Sequence, residues 1–441
     1  MPHVVVISPP FYSHSRPMAV LAGALKRAGA RATFACVPEF AHLAARFDLE
    51  FRALQTTSNR NTGVALSTVQ SAEDRARLLR FLDATRQGPV PALLTQARNR
   101  CEDMLAHTEE IFRNVAALTQ DLRADWYLVD QLNYPVTLAM YCLRQAFATY
   151  CPGHPSYIPV RNDQFFGVPD RWPACIHPDP AGVAELRSVA ADVDRRFTDT
   201  FNRVIASIDA TLPPIRRAFA YSSPHARLFN YPPPDGTPAT TPPSLYLGHC
   251  TAAEPLPVQW LDRLVGSPRL LVALGTFLSA RSDVMRTVAA GVRRAFPDSA
   301  LILAAGDQTA QLADLADDRT VVAPFVPQQA LLSHVDAMVH HGGNNSFTEC
   351  VAAGVPALIL PFSSDQFAIG HDTEEWGVAR CLDPNRAGAD EVAAAIRVLL
   401  DGSGRAVREL ADQVRQRGPD WAAPRLLRLM SGAGGGDAAF D

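Results

Sequence analysis

Residues 325–366 contain the densest set of ligand-binding residue types in the chain. Within this range, Gly342 and Gly343 precede an apolar helical run that Asn345 and Ser346 open. Glycine lets a backbone approach a ligand closely, and the start of a helix presents unpaired N–H groups that bind anions. We therefore expect this turn to bind an anionic group.

The flanks of the same segment offer further groups with a related chemistry. Phe325 provides an aromatic face for a base, and the carboxylate of Glu349 suits the two hydroxyls of a ribose. Asp365 and Gln366 suit sugar hydroxyls. Glu349 has a simpler explanation as a favourable charge in the first turn of a helix. Together, the residue types predict a site for a nucleotide sugar.

This segment resembles the donor-binding signature of the family 1 glycosyltransferases, the plant and bacterial natural-product enzymes that use UDP- or TDP-sugars. The Gly-Gly after the His is the variant of the bacterial macrolide transferases. Ile369 stands near the place where many relatives carry an Asn after Asp-Gln. The matching runs are Phe325-x-Pro327-Gln328, His341-Gly342-Gly343-Asn344-Asn345-Ser346-x-x-Glu349 and Asp365-Gln366.

The resemblance implies how the nucleoside would be held. Phe325 would stack on the base where most relatives have Trp, and Gln328 would read the edge of the base. Glu349 would bind the ribose, which favours a UDP-sugar over a TDP-sugar because a 2′-deoxyribose offers only one hydroxyl. The alternative for Phe325 is a place in the core. Asp365 and Gln366 would bind the sugar.

The resemblance also implies how the diphosphate would be bound. The residues expected around it are His341, Gly343, Asn345, Ser346 and the Gly275-Thr276 turn that follows an earlier strand. Metal binding by His340 and His341 is the competing interpretation. Adjacent residues rarely point at one ion, and the sequence near them offers no carboxylate or Cys partner. We expect no metal and no cofactor besides the nucleotide-sugar co-substrate.

Glycosyl transfer needs a base that removes the proton of the acceptor hydroxyl, and His suits this task near neutral pH. The chain has Ser13-His14-Ser15-Arg16-Pro17 after its first strand pattern, where relatives show Gly-His-x-x-Pro. The His and the Pro are kept and the Gly is lost. The resemblance therefore assigns the role of the base to His14.

A His base works better when a carboxylate fixes its tautomer. Asp130 ends the strand pattern at 125–130, at a place where family members carry the Asp of their dyad. The alternative is that Asp130 caps the next turn, a common use of Asp. We expect His14 and Asp130 to be the catalytic pair.

Alternating strand and helix patterns predict parallel sheets covered by helices in both halves of the chain. The predicted strands are 3–8, 31–36, 126–130, 270–274, 300–304, 321–323 and 355–360, and the predicted helices are 17–28, 72–86, 91–119 and 182–220. The fold class is α/β, and the resemblance implies GT-B, two facing Rossmann-like doubly wound domains with a cleft between them.

The predicted domains follow from this pattern and from composition. Residues 1–230 form an N-terminal acceptor-binding domain and residues 258–430 a C-terminal nucleotide-sugar-binding domain. The Pro-, Thr- and Gly-rich stretch 231–257 is expected to connect them without contributing a core element. Residues 431–441 are predicted to be a flexible tail. In the resembled family the last helix crosses back onto the first domain, a role for 403–430.

The acceptor side is the least determined part of the sequence. In the family it is built from loops of the first domain, which here are predicted at 56–95 and 131–180. Tyr134, Phe165 and Phe166 in the second range suit a small, partly apolar molecule. Packing within the loop is the alternative for each of them.

Composition excludes several other functions. The net charge of −4 and the pI of about 6.3 argue against nucleic acid or an anionic membrane as the partner. No apolar run approaches the ~20 residues of a membrane span. The eight cysteines show no CxxC pair, and no basic leader or cleavage site precedes the first strand pattern. We expect a cytoplasmic protein, a monomer or homodimer, with free thiols.

The sequence thus predicts an inverting glycosyltransferase that moves a hexose from a nucleotide diphosphate sugar to a hydroxyl of a small natural product. An inactive helper protein of the same fold is one alternative, although it would be expected to lose the base or phosphate residues. An epimerase or lipid-linked aminosugar transferase is another. A nicotinamide oxidoreductase is disfavoured because no G-x-G-x-x-G follows a strand.

Overall fold

The computed structural model of the protein describes residues 1–57, 61–62, 68, 71–234, 236, 240–252, 254–276 and 278–432. Its strands are β1 His3–Ile7, β2 Arg31–Cys36, β3 Glu50–Ala53, β4 Trp126–Asp130, β5 Phe147–Cys151, β6 Arg227–Phe229, β7 Ser244–Tyr246, β8 Arg269–Ala273, β9 Ala300–Ala304, β10 Thr320–Ala323, β11 Ala337–His340, β12 Ala357–Ile359 and β13 Ala379–Cys381. Its α-helices are α1 Tyr12–Arg27, α2 Ala41–Arg46, α3 Ala72–Gln87, α4 Pro89–Leu105, α5 Thr108–Leu122, α6 Tyr134–Cys142, α7 Pro180–Ile208, α8 Val258–Leu261, α9 Ser282–Ala295, α10 Gln328–Leu332, α11 Asn344–Ala353, α12 Gln366–Glu375, α13 Ala389–Gly402, α14 Gly404–Arg415 and α15 Pro419–Gly432.

The strands form two parallel sheets, one in each half of the chain. The first has the order β3-β2-β1-β4-β5-β6-β7 and the second the order β10-β9-β8-β11-β12-β13. In both sheets the strand order reverses beside the first strand, the arrangement of a doubly wound fold. Because helices cover both faces of such a sheet, the central strands are buried on both faces and read as continuous apolar runs. The predicted α/β fold class with two doubly wound domains is confirmed.

The predicted strands lie within one or two residues of the observed ones, but several helices differ. The pattern at 91–119 is two helices, because His107 takes a left-handed conformation with φ of 57° and starts α5 anew. The pattern at 182–220 ends at Ile208, and 403–430 divides into α14 and α15. Helix α1 begins at Tyr12 instead of residue 17.

The stretch 231–257 was expected to contain no core element, and this is wrong in part. Ser244–Tyr246 is β7, the last strand of the first sheet, and pairs in parallel with β6. Leu247 beyond it is fully buried. The reason is local: the Pro-rich run stops at 243, and the short Ser-Leu-Tyr-Leu run after it can pair with a sheet edge. Nearly all of the predicted tail 431–441 lies outside the described residues.

Two helices cross between the halves of the molecule. Helix α15 packs on α1, and its Ala422, Ala423 and Leu426 belong to the core of the first sheet, as the resemblance implied for the end of the chain. Helix α3 crosses in the other direction, since Leu82 belongs to the core of the second sheet. The two halves are therefore joined by helices from both.

Among the described residues, the helices are all too short or too polar to cross a membrane.

Candidate functional site

A cavity of about 600 Å³ lies between the two halves of the molecule and is lined by residues of both. It sits beyond the carboxyl ends of the strands, where doubly wound folds place their ligands. His14 lines it from the first half. Every residue predicted to bind the donor lines it too: Gly275, Thr276, Phe325, Gln328, His341, Gly343, Asn345, Ser346, Glu349, Asp365 and Gln366.

His14 lies in the first turn of α1, beside the end of β4. Its Nδ1 is 2.9 Å from Oδ2 of Asp130, whose side chain is fully buried. Oδ1 of Asp130 accepts a hydrogen bond of 2.8 Å from the N–H of Leu132. Asp130 therefore both caps the turn and faces the imidazole. An ionised Asp130 accepts from Nδ1–H, so the lone pair of His14 is on Nε2, the ring atom opposite Asp130.

His341 depends on two glycines for its position. A Cβ added at Gly343 would lie 2.2 Å from His341 Nε2, and one at Gly275 would lie 2.5 Å from Cε1. Gly275 also has a φ of 76°, which disfavours other residues. Burial lowers the pKa of His341 to about 4, so the imidazole is neutral near pH 7 and can donate one hydrogen bond.

The start of α11 offers backbone donors to the cavity. The first intrahelical bond runs from the N–H of Phe347 to the carbonyl of Gly343, 3.1 Å away. The N–H groups of residues 344–346 precede it and have no partner within the helix. With the neutral His341, these groups can stabilise an anion without a charged side chain.

Glu349 is held in place by amide side chains. Its Oε2 accepts from Nε2 of Gln328 at 2.6 Å, and its Oε1 from Nε2 of Gln329 at 2.7 Å. Nη1 of Arg16 lies 3.8 Å from Oε1. Burial raises the pKa of Glu349, and the charge of Arg16 opposes this. Each carboxylate oxygen keeps a lone pair for another donor.

Phe325 is 65% exposed, so it is not a core residue. It lies beside the cavity ahead of Gln328, with its ring available for stacking.

Asp365 and Gln366 are both buried and both bonded to backbone. Oδ2 of Asp365 accepts from the N–H of His154, 3.0 Å away in the first domain. Oε1 of Gln366 accepts from the N–H groups of Phe362 and Ser363 at 2.8 and 3.1 Å. These bonds hold the loop in place. The remaining lone pairs of Asp365 and the amide N–H groups of Gln366 are the groups that the two side chains can offer to a ligand.

The three residues predicted for the acceptor do not line the cavity, and this prediction is wrong. Tyr134 is fully buried and packs edge-on against Phe197 and Phe219, with ring centroids 5.1 and 5.4 Å away. Phe166 stacks on Phe219 in the same core, and Phe165 packs in a neighbouring cluster. The physical reason is the long helix α7, because Tyr134 at the start of α6 and the two loop residues Phe165 and Phe166 pack in the clusters that hold its apolar face.

Helices α3 and α4 supply the wall of the cavity on the side of the first domain where the acceptor residues were predicted. Helix α3 contributes Asp74, Arg77, Leu78 and Phe81, and α4 contributes Thr95, Gln96, Asn99 and Asp103. Five of these residues lie in the predicted range 56–95, on helices instead of loops, while 58–60, 63–67 and 69–70 of that range lie outside the described residues. Spacings of three, four and seven residues are the signal that could have identified one face of each helix.

Within the described chain, Oε1 of Gln96 is buried without a hydrogen-bond partner. A ligand donor could satisfy it. The described residues contain no group of three or more His, Cys, Asp or Glu arranged to hold a metal ion.

Comparison with known proteins gives a consistent result. Residues 294–425 match the model of the C-terminal domain of erythromycin biosynthesis protein CIII-like proteins. Zeaxanthin glucosyltransferase of Pantoea ananas is 27% identical over 397 residues, which cover 86% of this chain and 84% of the relative. Demethyllactenocin mycarosyltransferase of Streptomyces fradiae is 28% identical over 194 residues, 43% of this chain and 41% of the relative.

Solved structures share the whole fold. The glycosyltransferase of kitacinnamycin superposes with a TM-score of 0.68 at 20% identity, covering 98% of this chain and 100% of the other. Spinosyn rhamnosyltransferase SpnG complexed with thymidine diphosphate gives 0.63 at 18% identity, covering 97% and 100%. Glycosyltransferase VinC in complex with dTDP gives 0.65 at 18% identity, covering 97% and 99%. The two-domain arrangement predicted from the sequence is confirmed.

Proposed function

We propose that the chain is a family 1 glycosyltransferase of the GT-B fold, as its relatives and structural neighbours suggest, and that it moves a hexose from a UDP-sugar to a hydroxyl of a small, partly apolar natural product, with inversion at the anomeric carbon. The observation that carries this proposal is the juxtaposition of His14, bonded to Asp130 at 2.9 Å, with the start of α11 in one cavity.

The first step is removal of a proton from the acceptor hydroxyl. Asp130 holds Nδ1–H of His14, so Nε2 takes the proton, and the carboxylate stabilises the imidazolium that forms. The acceptor oxygen forms its bond to the anomeric carbon as the bond from that carbon to the diphosphate oxygen breaks. The electron pair of the broken bond leaves with the nucleotide.

The leaving diphosphate gains negative charge, and the second domain is suited to stabilise it. The N–H groups at the start of α11 and the neutral imidazole of His341 are donors fixed before the reaction, so they need little reorganisation as the charge develops. Such donors can act without a metal ion, and we propose that the enzyme is metal-independent. Transfer should persist in EDTA, and a strict Mg²⁺ requirement would contradict this.

Inversion is favoured by the state of the carboxylates at the cavity. Glu349 is bonded to Gln328 and Gln329, and Asp365 to the backbone of His154. Three further carboxylates line the cavity, and each is paired with an arginine: Asp74 and Asp103 with Arg77, and Glu254 with Arg16 and Arg46. Every carboxylate among the described residues that line the cavity thus has a partner, which favours direct displacement assisted by His14 over a covalent glycosyl intermediate. A direct displacement from an α-linked donor gives a β-glycoside.

The proposed donor rests on Glu349, because a carboxylate can accept from both hydroxyls of a ribose. Thymidine diphosphate in the SpnG and VinC structures makes a TDP-sugar the alternative.

The proposed acceptor rests on the apolar Leu78, Phe81 and Leu132 that line the cavity with polar groups of α4. Relatives named for zeaxanthin and for sterols agree with an apolar alcohol.

The test is acceptor-dependent release of free nucleotide. Purified protein is incubated with UDP-hexoses and TDP-hexoses and a panel of hydroxylated compounds that includes zeaxanthin, a sterol and macrolactone alcohols. UDP release and a product heavier by one hexose are expected with at least one apolar alcohol. Turnover with TDP-hexoses alone would refute the proposed donor, and absence of acceptor-dependent turnover with both sets would refute the function.

A further inference from the structure

Two consecutive amide side chains at the start of α11 are directed at the first domain. Nδ2 of Asn345 donates to the carbonyl of Ser13 at 2.6 Å. Nδ2 of Asn344 donates to the carbonyls of Pro152 and Asn230 at 2.8 and 2.6 Å. The carbonyls of Pro152 and Asn230 directly follow β5 and β6, and the carbonyl of Ser13 lies in the first turn of α1. The start of α11, which is proposed to face the donor phosphates, is thereby fastened to two strand ends and one helix start of the first domain.

Pro17 explains why the carbonyl of Ser13 needs such a partner. In an α-helix this carbonyl would accept from the N–H of residue 17, but a proline has no N–H and its ring pushes against the carbonyl four residues before it. Pro17 lies inside α1, so the first turn of the helix has an acceptor without its usual donor. Ser13 is partly buried, and a carbonyl that is shielded from water is costly unless a side chain satisfies it.

The residue after Ser13 is His14. The hydrogen bond from Asn345 therefore ends next to the base, while the backbone of Asn345 belongs to the turn that faces the diphosphate. Oδ1 of Asn345 also lies 3.3 Å from Nδ2 of Asn230, so both ends of its amide contact the first domain. This leaves the backbone N–H groups of α11, instead of the amide of Asn345, for the phosphates.

We propose that Asn345 is a positioning residue: it sets the distance between the His14 base and the donor phosphates by filling the acceptor that Pro17 leaves open, with Asn344 as the second fastening. The proposal rests on the proposed function and replaces the phosphate-binding role that the sequence suggested for Asn345. Small displacements of reacting groups lower the reaction rate strongly. Loss of the Asn345 amide should therefore reduce kcat more than it reduces the affinity for the nucleotide.

The test compares Asn345→Ala with Ser346→Ala, a neighbouring change at a residue still assigned to the phosphates. For Asn345→Ala, kcat should fall roughly 10- to 100-fold, with the Kd of UDP by calorimetry within about twofold of wild type. Ser346→Ala should instead weaken UDP binding. A tenfold loss of UDP affinity in Asn345→Ala with kcat preserved would overturn the proposal, as would no effect on either.

Pro17→Ala provides a second, independent test of the hydrogen bond between Asn345 and the carbonyl of Ser13. This substitution restores a backbone N–H that can donate to the carbonyl of Ser13, so Asn345→Ala should cost less in the Pro17→Ala background than in wild type. Equal losses of kcat in both backgrounds would contradict the coupling.

Hydrogen exchange separates this proposal from the function it rests on, because it needs no turnover. Asn345→Ala should speed amide exchange in a peptide covering residues 12–17, while the peptide of β1 stays protected. Unchanged exchange at 12–17 would refute the fastening even if transfer were observed. Faster exchange in a chain that transfers no sugar would refute the proposed function and leave the fastening intact.

Discussion

Asp130 makes two hydrogen bonds that the sequence offered as alternatives. One oxygen caps the turn at Leu132 and the other faces His14. The cap orients the carboxylate, and the oriented carboxylate selects the imidazole tautomer with its lone pair on Nε2.

Asp130→Asn tests this arrangement. With its oxygen kept at Leu132, the amide would present N–H to Nδ1 of His14 and place the ring proton on Nε2, the wrong tautomer for a base. We expect kcat to fall by about 10³- to 10⁴-fold, as when a triad carboxylate is replaced by an amide. Thermal unfolding should be nearly unchanged, because the cap remains. Near-wild-type turnover would exclude a role for the pair.

His14→Ala and His341→Ala should both impair transfer but differ in their effect on UDP binding. His14→Ala removes the base and should lower kcat by about 10²- to 10⁴-fold while UDP still binds within a few-fold of wild type. His341→Ala removes a donor to the diphosphate and should weaken UDP binding as well. Calorimetry with UDP and initial rates of transfer measure both effects. Two variants that bind and turn over like the wild type would show that the site is misassigned.

Glu349 should make the protein bind a ribose nucleotide more tightly than a 2′-deoxyribose nucleotide. Charge-assisted hydrogen bonds contribute roughly 1.5–3 kcal/mol, enough for about a tenfold preference for UDP over TDP. Glu349→Ala should remove that preference, because the carboxylate that accepts from the second ribose hydroxyl is gone. Titration of both proteins with both nucleotides measures this, and equal affinities or tighter TDP in the wild type would defeat the assignment.

At the scale of elements, the wall proposed for the acceptor consists of residues of α3 and α4, whereas residues of α6 and α7 belong to the core. Phe81 of α3 lines the cavity and Phe166 does not. Phe81→Ala should raise the KM of an apolar acceptor several-fold and leave the Kd of UDP unchanged.

Phe166→Ala is the matched comparison for this prediction. It removes a 5% exposed ring from the core and should cost about 3–5 kcal/mol of unfolding free energy, with little change in the acceptor KM of the folded fraction. Acceptor kinetics and thermal unfolding of both variants measure the difference. If Phe166→Ala changed the acceptor KM and Phe81→Ala did not, the acceptor would bind against Phe166 and not against α3.

The central strands were predictable because strands buried on both faces are apolar throughout, as in β1 and β8. Strands such as β7 and β13 have three residues each and leave too short a pattern. Most residues proposed to bind the donor lie within 325–366, so the sequence could identify them as one group, and all of them line the cavity. The wall proposed for the acceptor could not be identified in this way, because it depends on which helix faces reach the cavity. Tyr134 and Phe81 are both aromatic residues in the first domain, and only the position of α7 shows that Tyr134 belongs to the core.

At the scale of the whole molecule, one fully buried imidazole and two half-buried ones link stability to pH. Burial lowers the pKa of His340 to about 3 and the pKa values of His341 and His249 to about 4. Between those values and 6.5 the unfolded chain binds more protons than the folded one. Stability is therefore complete above about pH 6.5 and is lost as the pH falls, by up to about 1.4 kcal/mol per unit for each His.

His340→Asn tests the linkage at the most buried of the three. Nδ1 of His340 accepts from the N–H of Gly342 at 3.0 Å, a bond that the oxygen of Asn can reproduce as an Asx turn. The variant should lose less unfolding free energy than the wild type between pH 7 and pH 4.5, measured by denaturant titration. Parallel pH profiles for the two proteins would contradict the assignment.

The central claim is that one base, His14, drives a direct displacement on a sugar held by the second domain. The configuration of the product tests it most directly: the protein is given an α-linked UDP-hexose and an accepted alcohol, and the anomeric coupling of the isolated glycoside is read by NMR. Direct displacement predicts the β-glycoside. An α-glycoside would contradict it. Retention requires either a second nucleophile or attack from the same face as the leaving diphosphate, and a single direct displacement assisted by His14 includes neither.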